Sequence, residues 1–213
     1  RGLGDVYKRQ TMNKLLFLIF LCSCSTILSY ENKTLDVVRL TKQEIACIEE
    51  IFSLISRRLE VASEIAKWKW NHRIPIDIKD KKKSLLTQLV EEVGNQIDIR
   101  FGKSILISQL NAEKTLQIQL FENWIAEEVY LVPLPSSDLA SLEKTMFEID
   151  KKIMDQLIYV YLISSRQDFL SQMTYVAIEN LPEEKFSEEL RNEIIKSFIH
   201  PNRTVSYTHL TLP

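Results

Sequence analysis

Residues 45–66 read IACIEEIFSLISRRLEVASEIA and carry a continuous helical repeat of apolar side chains. Alternating steps of three and four residues separate its members, which are Ile45, Ile48, Phe52, Ile55, Leu59, Ala62 and Ala66. Steps of this size place side chains on one face of an α-helix. Thr41 and Glu44 have the pattern of a capping box, and Pro75 disfavours continuation beyond about Asn71. The predicted helix is roughly 28 residues and 42 Å long, which is typical of a helical bundle.

Two further helices follow this first helix in the predicted order. The second covers residues 80–93, where leucines and valines form one apolar face, and Gly94 is its candidate C-cap. The third begins after the candidate N-cap Asp98 and extends to Trp124 or beyond. Neither segment has the alternating pattern of a strand, so the prediction for this half of the chain is entirely helical.

The C-terminal half predicts a fourth long helix and two shorter ones. Pro133 and Pro135 interrupt the chain, and residues 136–138 (SSD) then have the composition of a helix start. The shorter helices are predicted near residues 167–179 and 183–199. We therefore predict an all-α fold, a helical bundle of about six helices with long first, third and fourth helices.

Both ends of the sequence carry the signature of one short DNA element. Residues 5–10 (DVYKRQ) are encoded by a sequence whose reverse complement encodes Val-Ser-Tyr-Thr-His, which is residues 205–209. We interpret residues 1–11 and 205–213 as non-native scars of a transposon end used in preparing DNA for sequencing, and such segments are excluded from fold reasoning. Residues 31–204 are expected to form a single helical domain.

Residues 12–30 have the layout of a secretory signal peptide. A charged start at Met12-Asn13-Lys14 precedes the apolar run LLFLIFLC at residues 15–22, and small residues follow at a possible cleavage site. The run is too short to span a bilayer, so no membrane span is expected in the mature form. The protein is predicted to be periplasmic or secreted. The segment around Cys24 also resembles a lipoprotein box, and a buried helix of the fold is the alternative interpretation.

The composition argues against several classes of function. The formal net charge is −2, which gives no field that would attract nucleic acid. Outside the terminal scars the only glycines are Gly94 and Gly102, which disfavours β-hairpins and phosphate-binding loops. Cys47 is the one thiol after the signal segment, and His72 and His200 are the remaining histidines. No metal, cofactor, disulfide or His-based nucleophile is therefore expected.

Two cations of the first helix share one face. Arg58 and Lys69 lie 11 residues apart, which corresponds to three turns plus roughly 20°. Lys69 also continues the apolar stripe three residues past Ala66. A cation that faces the core needs an anionic partner, because an unpaired buried charge is costly. That partner is a ligand in one interpretation, and a structural salt bridge or a snorkelling lysine is the alternative.

The third helix offers a second polar pair, and the second helix begins with a charge run. Glu113 and Gln117 are spaced i, i+4, so they lie on one helix face beside apolar side chains. A structural hydrogen bond would also account for them. Residues 80–83 (DKKK) put three lysines at a helix N-terminus, where the macrodipole favours anions. An anion bound there would offset the unfavourable placement of three cations at the positive end of the helix dipole. A solvated helix start is the alternative.

These pieces together resemble the all-helical chorismate mutases. RLEVA at residues 58–62, Lys69-Trp70 and Ile74-Pro75-Ile76 are similar to the first helix and loop of that family. The resemblance is closest to the secreted subclass, which has a signal peptide and a single-chain active site. The third helix, with Gln117 and a Phe-x-x-Trp ending, and the fourth helix around Lys152 are similar as well. The resemblance covers roughly residues 40–165.

The resemblance implies a reaction, a substrate and a set of roles. The substrate is chorismate, which is rearranged to prephenate without a cofactor, and a homodimer is implied. Arg58 would bind one carboxylate of chorismate, while Lys69 and Gln117 would hold the ether oxygen. Glu113 occupies a position near the substrate where the family often has Ser or Thr.

The same carry-over assigns three lysines to substrate binding. Lys81 and Lys152 stand where relatives have arginines that bind the substrate, and lysine keeps the charge but loses the bidentate fork. Lys82 falls where many relatives place a glutamate that contacts the substrate hydroxyl, and an ammonium cannot accept that hydrogen bond. The alternatives are a catalytically inactive secreted binding protein of the same fold, another lyase-like activity on chorismate or isochorismate, and an unrelated helical bundle.

Overall fold

The computed structural model describes residues 39–76 and 80–199, the side chains of residues 80–86 excepted. The proposed scars and signal peptide lie outside these residues. The described part contains six helices and no strand, so the predicted all-α fold is confirmed. In chain order the helices are α1 (Lys42–Asn71), α2 (Asp80–Val93), α3 (Ile99–Ala126), α4 (Leu139–Ile163), α5 (Phe169–Asn180) and α6 (Glu188–Ser197).

The N-termini of the three long helices form as their side chains predict. At α1, Thr41 Oγ1 accepts a hydrogen bond from the Glu44 amide at 3.2 Å, and Glu44 Oε2 accepts one from the Thr41 amide at 2.8 Å. This reciprocal capping box lowers the pKa of Glu44, because the donors favour its charged form. Asp98 and Asp138 cap α3 and α4 through bonds to backbone amides. The predicted starts of all three helices are confirmed.

The last helix starts later than its sequence pattern predicts. We expected a helix from about residue 183, but α6 begins at Glu188. Pro182 starts a separate turn, in which its carbonyl accepts hydrogen bonds from the amides of Lys185 and Phe186. Ser187 then provides the N-cap by accepting from the Leu190 amide. The apolar Phe186 lies in this turn and is buried.

The helix α1 is the centre of the bundle. It packs against α3, α4 and α5, while α6 covers α3. Ion pairs from Glu44 to Arg166 and from Arg58 to Asp150 show that α1 and α4 run antiparallel. The predicted stripe of α1 is buried from Ile48 to Ala66, and with the other helices it forms one apolar core. No helix in the described ranges is both long enough and apolar enough to cross a membrane.

The C-terminal ends of α1 and α3 use the same unusual backbone. Each is followed by a residue with positive φ that is not glycine, namely Arg73 and Glu128, both at φ 55°. Behind each, an amide reaches back into the last turn: Ile74 to Lys69 O at 2.9 Å and Val129 to Trp124 O at 2.8 Å. This is the Schellman arrangement, in which glycine is the preferred residue.

Replacing Glu128 by glycine is expected to stabilise the protein. A left-handed conformation costs roughly 1–2 kcal/mol for a residue with a Cβ, and part of this gain is lost to the greater backbone freedom of glycine. The net increase in the free energy of unfolding should be about 0.5–1 kcal/mol. Thermal unfolding measures it, and Glu127→Gly is the matched control, because Glu127 has φ −87°. A Tm for Glu128→Gly at or below that of Glu127→Gly would contradict the prediction.

Candidate active site

Arg58 lies at the centre of the bundle and contacts two carboxylates. Its side chain is fully buried. Nε donates a hydrogen bond to Asp150 Oδ1 at 2.5 Å, and Nη2 donates one to Glu113 Oε2 at 3.1 Å. Nη1 donates to the backbone carbonyl of Gln109 at 2.9 Å. The cation therefore bridges α1, α3 and α4 at one level.

The two carboxylates keep Arg58 charged inside the core. Burial alone lowers the pKa of the guanidinium, because it penalises the charged form. The attraction of Asp150 and Glu113, with their hydrogen bonds, outweighs this penalty and raises the pKa of Arg58 above its usual value. Removing either carboxylate would leave less compensation for a charge that has no access to water.

Lys69 lies about three turns further along α1 and joins the same network. Its Nζ donates to Gln117 Oε1 at 3.0 Å, and both residues are buried. Gln117 Nε2 in turn donates to Glu113 Oε1 at 3.3 Å. Glu113 thus accepts from Arg58 with one oxygen and from Gln117 with the other. We call the five side chains the polar cluster; its members are Arg58, Lys69, Glu113, Gln117 and Asp150.

Helical spacing explains why these residues meet. Arg58 and Lys69 share the inner face of α1, as the 11-residue interval predicts. On α3, Gln109, Glu113 and Gln117 follow one another at steps of four, and all three are buried. A step of four returns nearly to the same side of a helix. One polar row of α3 therefore faces the two cations of α1.

The aromatic ending of α3 packs against Trp70 at the end of α1. Trp70 packs against Phe121 with ring centroids 5.1 Å apart, and against Trp124 at 5.5 Å. Arg73 lies between the rings of Trp70 and Tyr130, at 5.6 Å and 5.5 Å from their centroids. These ring contacts hold the C-terminal end of α1 against the C-terminal end of α3.

The structure brings together four of the residues singled out by their sequence pattern: Arg58, Lys69, Glu113 and Gln117. Lys152 is different, because its side chain is exposed on α4. It stands two residues from Asp150, and a step of two turns the side chain by roughly 200° to the opposite side of a helix. The backbone of Lys81 and Lys82 belongs to α2, while their side chains lie outside the described residues.

Sequence reasoning missed Asp150 as a member of the cluster. The residue is 4% exposed and lies in a row with Met146 and Met154, which are buried as well. A single acid inside a row of apolar residues spaced by four was the available signal. Its second oxygen, Oδ2, is buried and has no hydrogen-bond partner among the described residues.

The charges of the polar cluster balance. Arg58 and Lys69 contribute two positive charges, and Glu113 and Asp150 contribute two negative charges. Such a network can sit in a low-dielectric interior because its positive and negative charges offset one another. Among residues 39–76 and 80–199, no group of three or more His, Cys, Asp or Glu side chains could hold a metal ion. The cluster contains two fixed cations, an amide and two carboxylates.

Comparison with known proteins shows a class of protein that shares this fold. A crystal structure of a chorismate mutase from Burkholderia thailandensis superimposes with a TM-score of 0.61, at 22% sequence identity, over 72% of this chain and 98% of that one. The chain therefore has the fold of the all-helical chorismate mutases. No protein-family model matches the sequence.

A sequence relative makes the resemblance more particular. The chain is 23% identical over 111 residues to the secreted chorismate mutase of Mycobacterium tuberculosis, which covers 52% of this chain. The matched region spans about half of that relative, 55% of its length. The predicted resemblance to chorismate mutases, including their secreted members, is thereby confirmed.

Proposed function

We propose that the protein is a chorismate mutase, an isomerase that rearranges chorismate to prephenate. The observation that carries this proposal is the buried contact between Lys69 Nζ and Gln117 Oε1 at 3.0 Å. It places an ammonium and an amide side by side on facing helices. A pericyclic rearrangement needs no nucleophile and no metal ion, so a fixed cation and an oriented amide suffice for it.

The reaction moves electrons without moving a proton. The ether C–O bond of chorismate breaks while a new C–C bond forms, and negative charge grows on the ether oxygen. Lys69 and the amide N–H of Gln117 would donate to that oxygen in the transition state. Donors that are already oriented in a dry site stabilise such charge without reorganisation, and one of them is worth roughly 10²–10³ in kcat.

Positioning supplies the remaining acceleration. Arg58 would hold one carboxylate of chorismate, which folds the substrate into the compact shape that reacts. Glu113 would lie near the substrate between Arg58 and Gln117, consistent with its hydrogen bonds to both. By resemblance, Lys81 would bind the substrate and Lys82 would lie near its hydroxyl. Lys152 has the position of a carboxylate-binding arginine by resemblance, but its exposed side chain on α4 lies outside the polar cluster. No cofactor enters this mechanism.

The proposal extends to location and assembly. The relative from M. tuberculosis is a secreted protein. We propose that residues 12–30 direct export of this chain, with a soluble periplasmic form or a lipid anchor at Cys24 as the two outcomes. Residues 31–204 would then be the functional domain, and it would act as a homodimer. N-terminal sequencing of the exported protein and its sedimentation coefficient test these points.

A second candidate is a secreted helical binding protein that is catalytically inactive. The observation that favours it is the occupation of Arg58 by the protein's own carboxylates, Asp150 and Glu113. A guanidinium with two acidic partners offers less to a substrate carboxylate than one that faces an empty pocket. Lys82 also favours this candidate. Many relatives have a glutamate at this position, and an ammonium cannot accept a hydrogen bond from the substrate hydroxyl as a carboxylate does.

One assay separates the two candidates. The purified protein is incubated with chorismate, and the loss of chorismate absorbance is followed while the products are identified chromatographically. Formation of prephenate supports the proposal, and another product would assign a different reaction on the same substrate. A folded protein that leaves chorismate unchanged would support the inactive binding protein.

A further inference from the structure

Asp150 holds an unusual place beside the proposed substrate-binding residues. It is buried on α4, and its Oδ1 accepts from Arg58 Nε at 2.5 Å. Its other oxygen has no hydrogen-bond partner among the described residues. A buried carboxylate with one unsatisfied oxygen is costly, so packing alone does not favour aspartate here over an isosteric neutral residue.

Asp150 and Glu113 occupy the N–H groups of Arg58 that a ligand carboxylate would use. A guanidinium grips a carboxylate best with two parallel N–H groups, such as those on Nε and Nη2. In this structure Asp150 occupies Nε and Glu113 occupies Nη2. A ligand carboxylate must therefore displace Asp150 or Glu113, or bind only to the remaining N–H groups of the terminal nitrogens of Arg58.

We infer that Asp150 is a specificity-determining residue that competes with ligand carboxylates for Arg58. The inference rests on the proposed function, in which the polar cluster receives a carboxylate-bearing substrate. Asp150 brings the net charge of the described cluster to zero. Its carboxylate repels an anionic ligand in proportion to the charge of that ligand, so it weakens the binding of a dianion more than that of a monoanion. The site therefore favours a dianion over a monoanion less strongly than the same cluster would without the charge of Asp150.

Asp150→Asn tests the inference with little change in shape. The variant keeps an oxygen that can accept from Arg58 Nε, while Glu113 still balances the guanidinium. Asp155→Asn is the matched control, since Asp155 is exposed on the same helix. Two probes are compared by titration calorimetry at fixed pH and ionic strength: the cyclohexane-1,2-dicarboxylate dianion and the cyclohexanecarboxylate monoanion.

We expect Asp150→Asn to bind both probes more tightly than the parent, with the larger increase in affinity for the dianion. To first order the dianion gains twice the free energy of the monoanion, so a gain of about threefold for the monoanion corresponds to about tenfold for the dianion. For chorismate, KM should fall by about tenfold while kcat changes less than about threefold, as expected when ground-state and transition-state binding improve together. Asp155→Asn should change none of these values.

Other outcomes overturn the inference. A higher KM in Asp150→Asn would mean that Asp150 holds Arg58 in its binding pose. Equal changes for both probes, or no dianion binding by any variant, would mean that the carboxylate has no role in discrimination. If Asp150→Asn lacks the helical circular dichroism of the parent, Glu113→Gln removes the other competing charge and must itself give the larger dianion gain.

The failure of the inference and of the proposed function can be told apart. If no variant converts chorismate but the dicarboxylate binds more tightly to Asp150→Asn, the catalytic proposal fails and the competition stands. If chorismate is converted with the same KM by the parent and Asp150→Asn, the catalytic proposal stands and the competition fails.

Discussion

Lys69→Ala is expected to reduce kcat for chorismate by about 10²–10³-fold, because it removes a preorganised cation from the breaking ether bond. Its partner Gln117 would lose the hydrogen bond that orients its amide, so the two proposed donors would be impaired together. Steady-state kinetics of purified protein measure the effect. The electrostatic contribution appears mainly in kcat, since the charge on the oxygen develops in the transition state.

Lys67→Ala is the matched control for this variant. Lys67 stands two residues away on α1, is partly exposed and pairs with Glu64 at 2.7 Å. A pair of this kind contributes little to stability, and its loss should leave kcat unchanged. A kcat for Lys69→Ala within about tenfold of the parent would contradict the assigned role of Lys69 as an electrostatic donor.

Arg58→Met is expected to lower the free energy of unfolding by about 3–5 kcal/mol. The substitution preserves a long side chain but leaves Asp150 and Glu113 buried without their cation, at 4% exposure each. Urea denaturation followed by circular dichroism measures the change. The prediction concerns stability first, so it holds whether or not the protein turns over chorismate.

Two comparisons make the result for Arg58 interpretable. Arg57→Met changes an exposed neighbour on the same helix and should alter the free energy of unfolding by less than about 0.5 kcal/mol. Combining Arg58→Met with Asp150→Asn removes one of the stranded charges, so the double variant should be more stable than Arg58→Met alone. Additive losses in the double variant would show that the two residues are not energetically coupled.

The helices could be predicted from sequence because their signals are local. The stripe from Ile48 to Ala66 and the caps at Thr41, Asp98 and Asp138 each depend on residues within one or two turns. The late start of α6 escaped prediction because it depends on more than local signals. Residues from Pro182 form a separate turn, and the burial of Phe186 in that turn depends on tertiary packing.

The candidate site could be predicted only in part. The spacing of Arg58 and Lys69 placed both on one face, and the resemblance singled out Gln117 and Glu113 as their neighbours. The sequence could not show that Arg58 bonds to Asp150, because the two residues are 92 positions apart and belong to different helices. The apolar row around Asp150 did mark the inner side of α4, but the assignment of Lys152 by resemblance made no use of that signal.

The row formed by Met146, Asp150 and Met154 has a consequence for how the helices align. Apolar residues repeat about once per turn on this face, so a displacement of α4 along α1 by one turn, about 5.4 Å, would still place apolar side chains opposite apolar side chains. Such a slip would set a methionine against the guanidinium of Arg58 and strand its charge in the core. If the charge fixes this alignment, Arg58→Met should show more than one set of α4 resonances by NMR, and a single set would argue against it. The ion pair between Arg58 and Asp150 would then select one alignment of α4 along α1 among those in which apolar side chains still face each other.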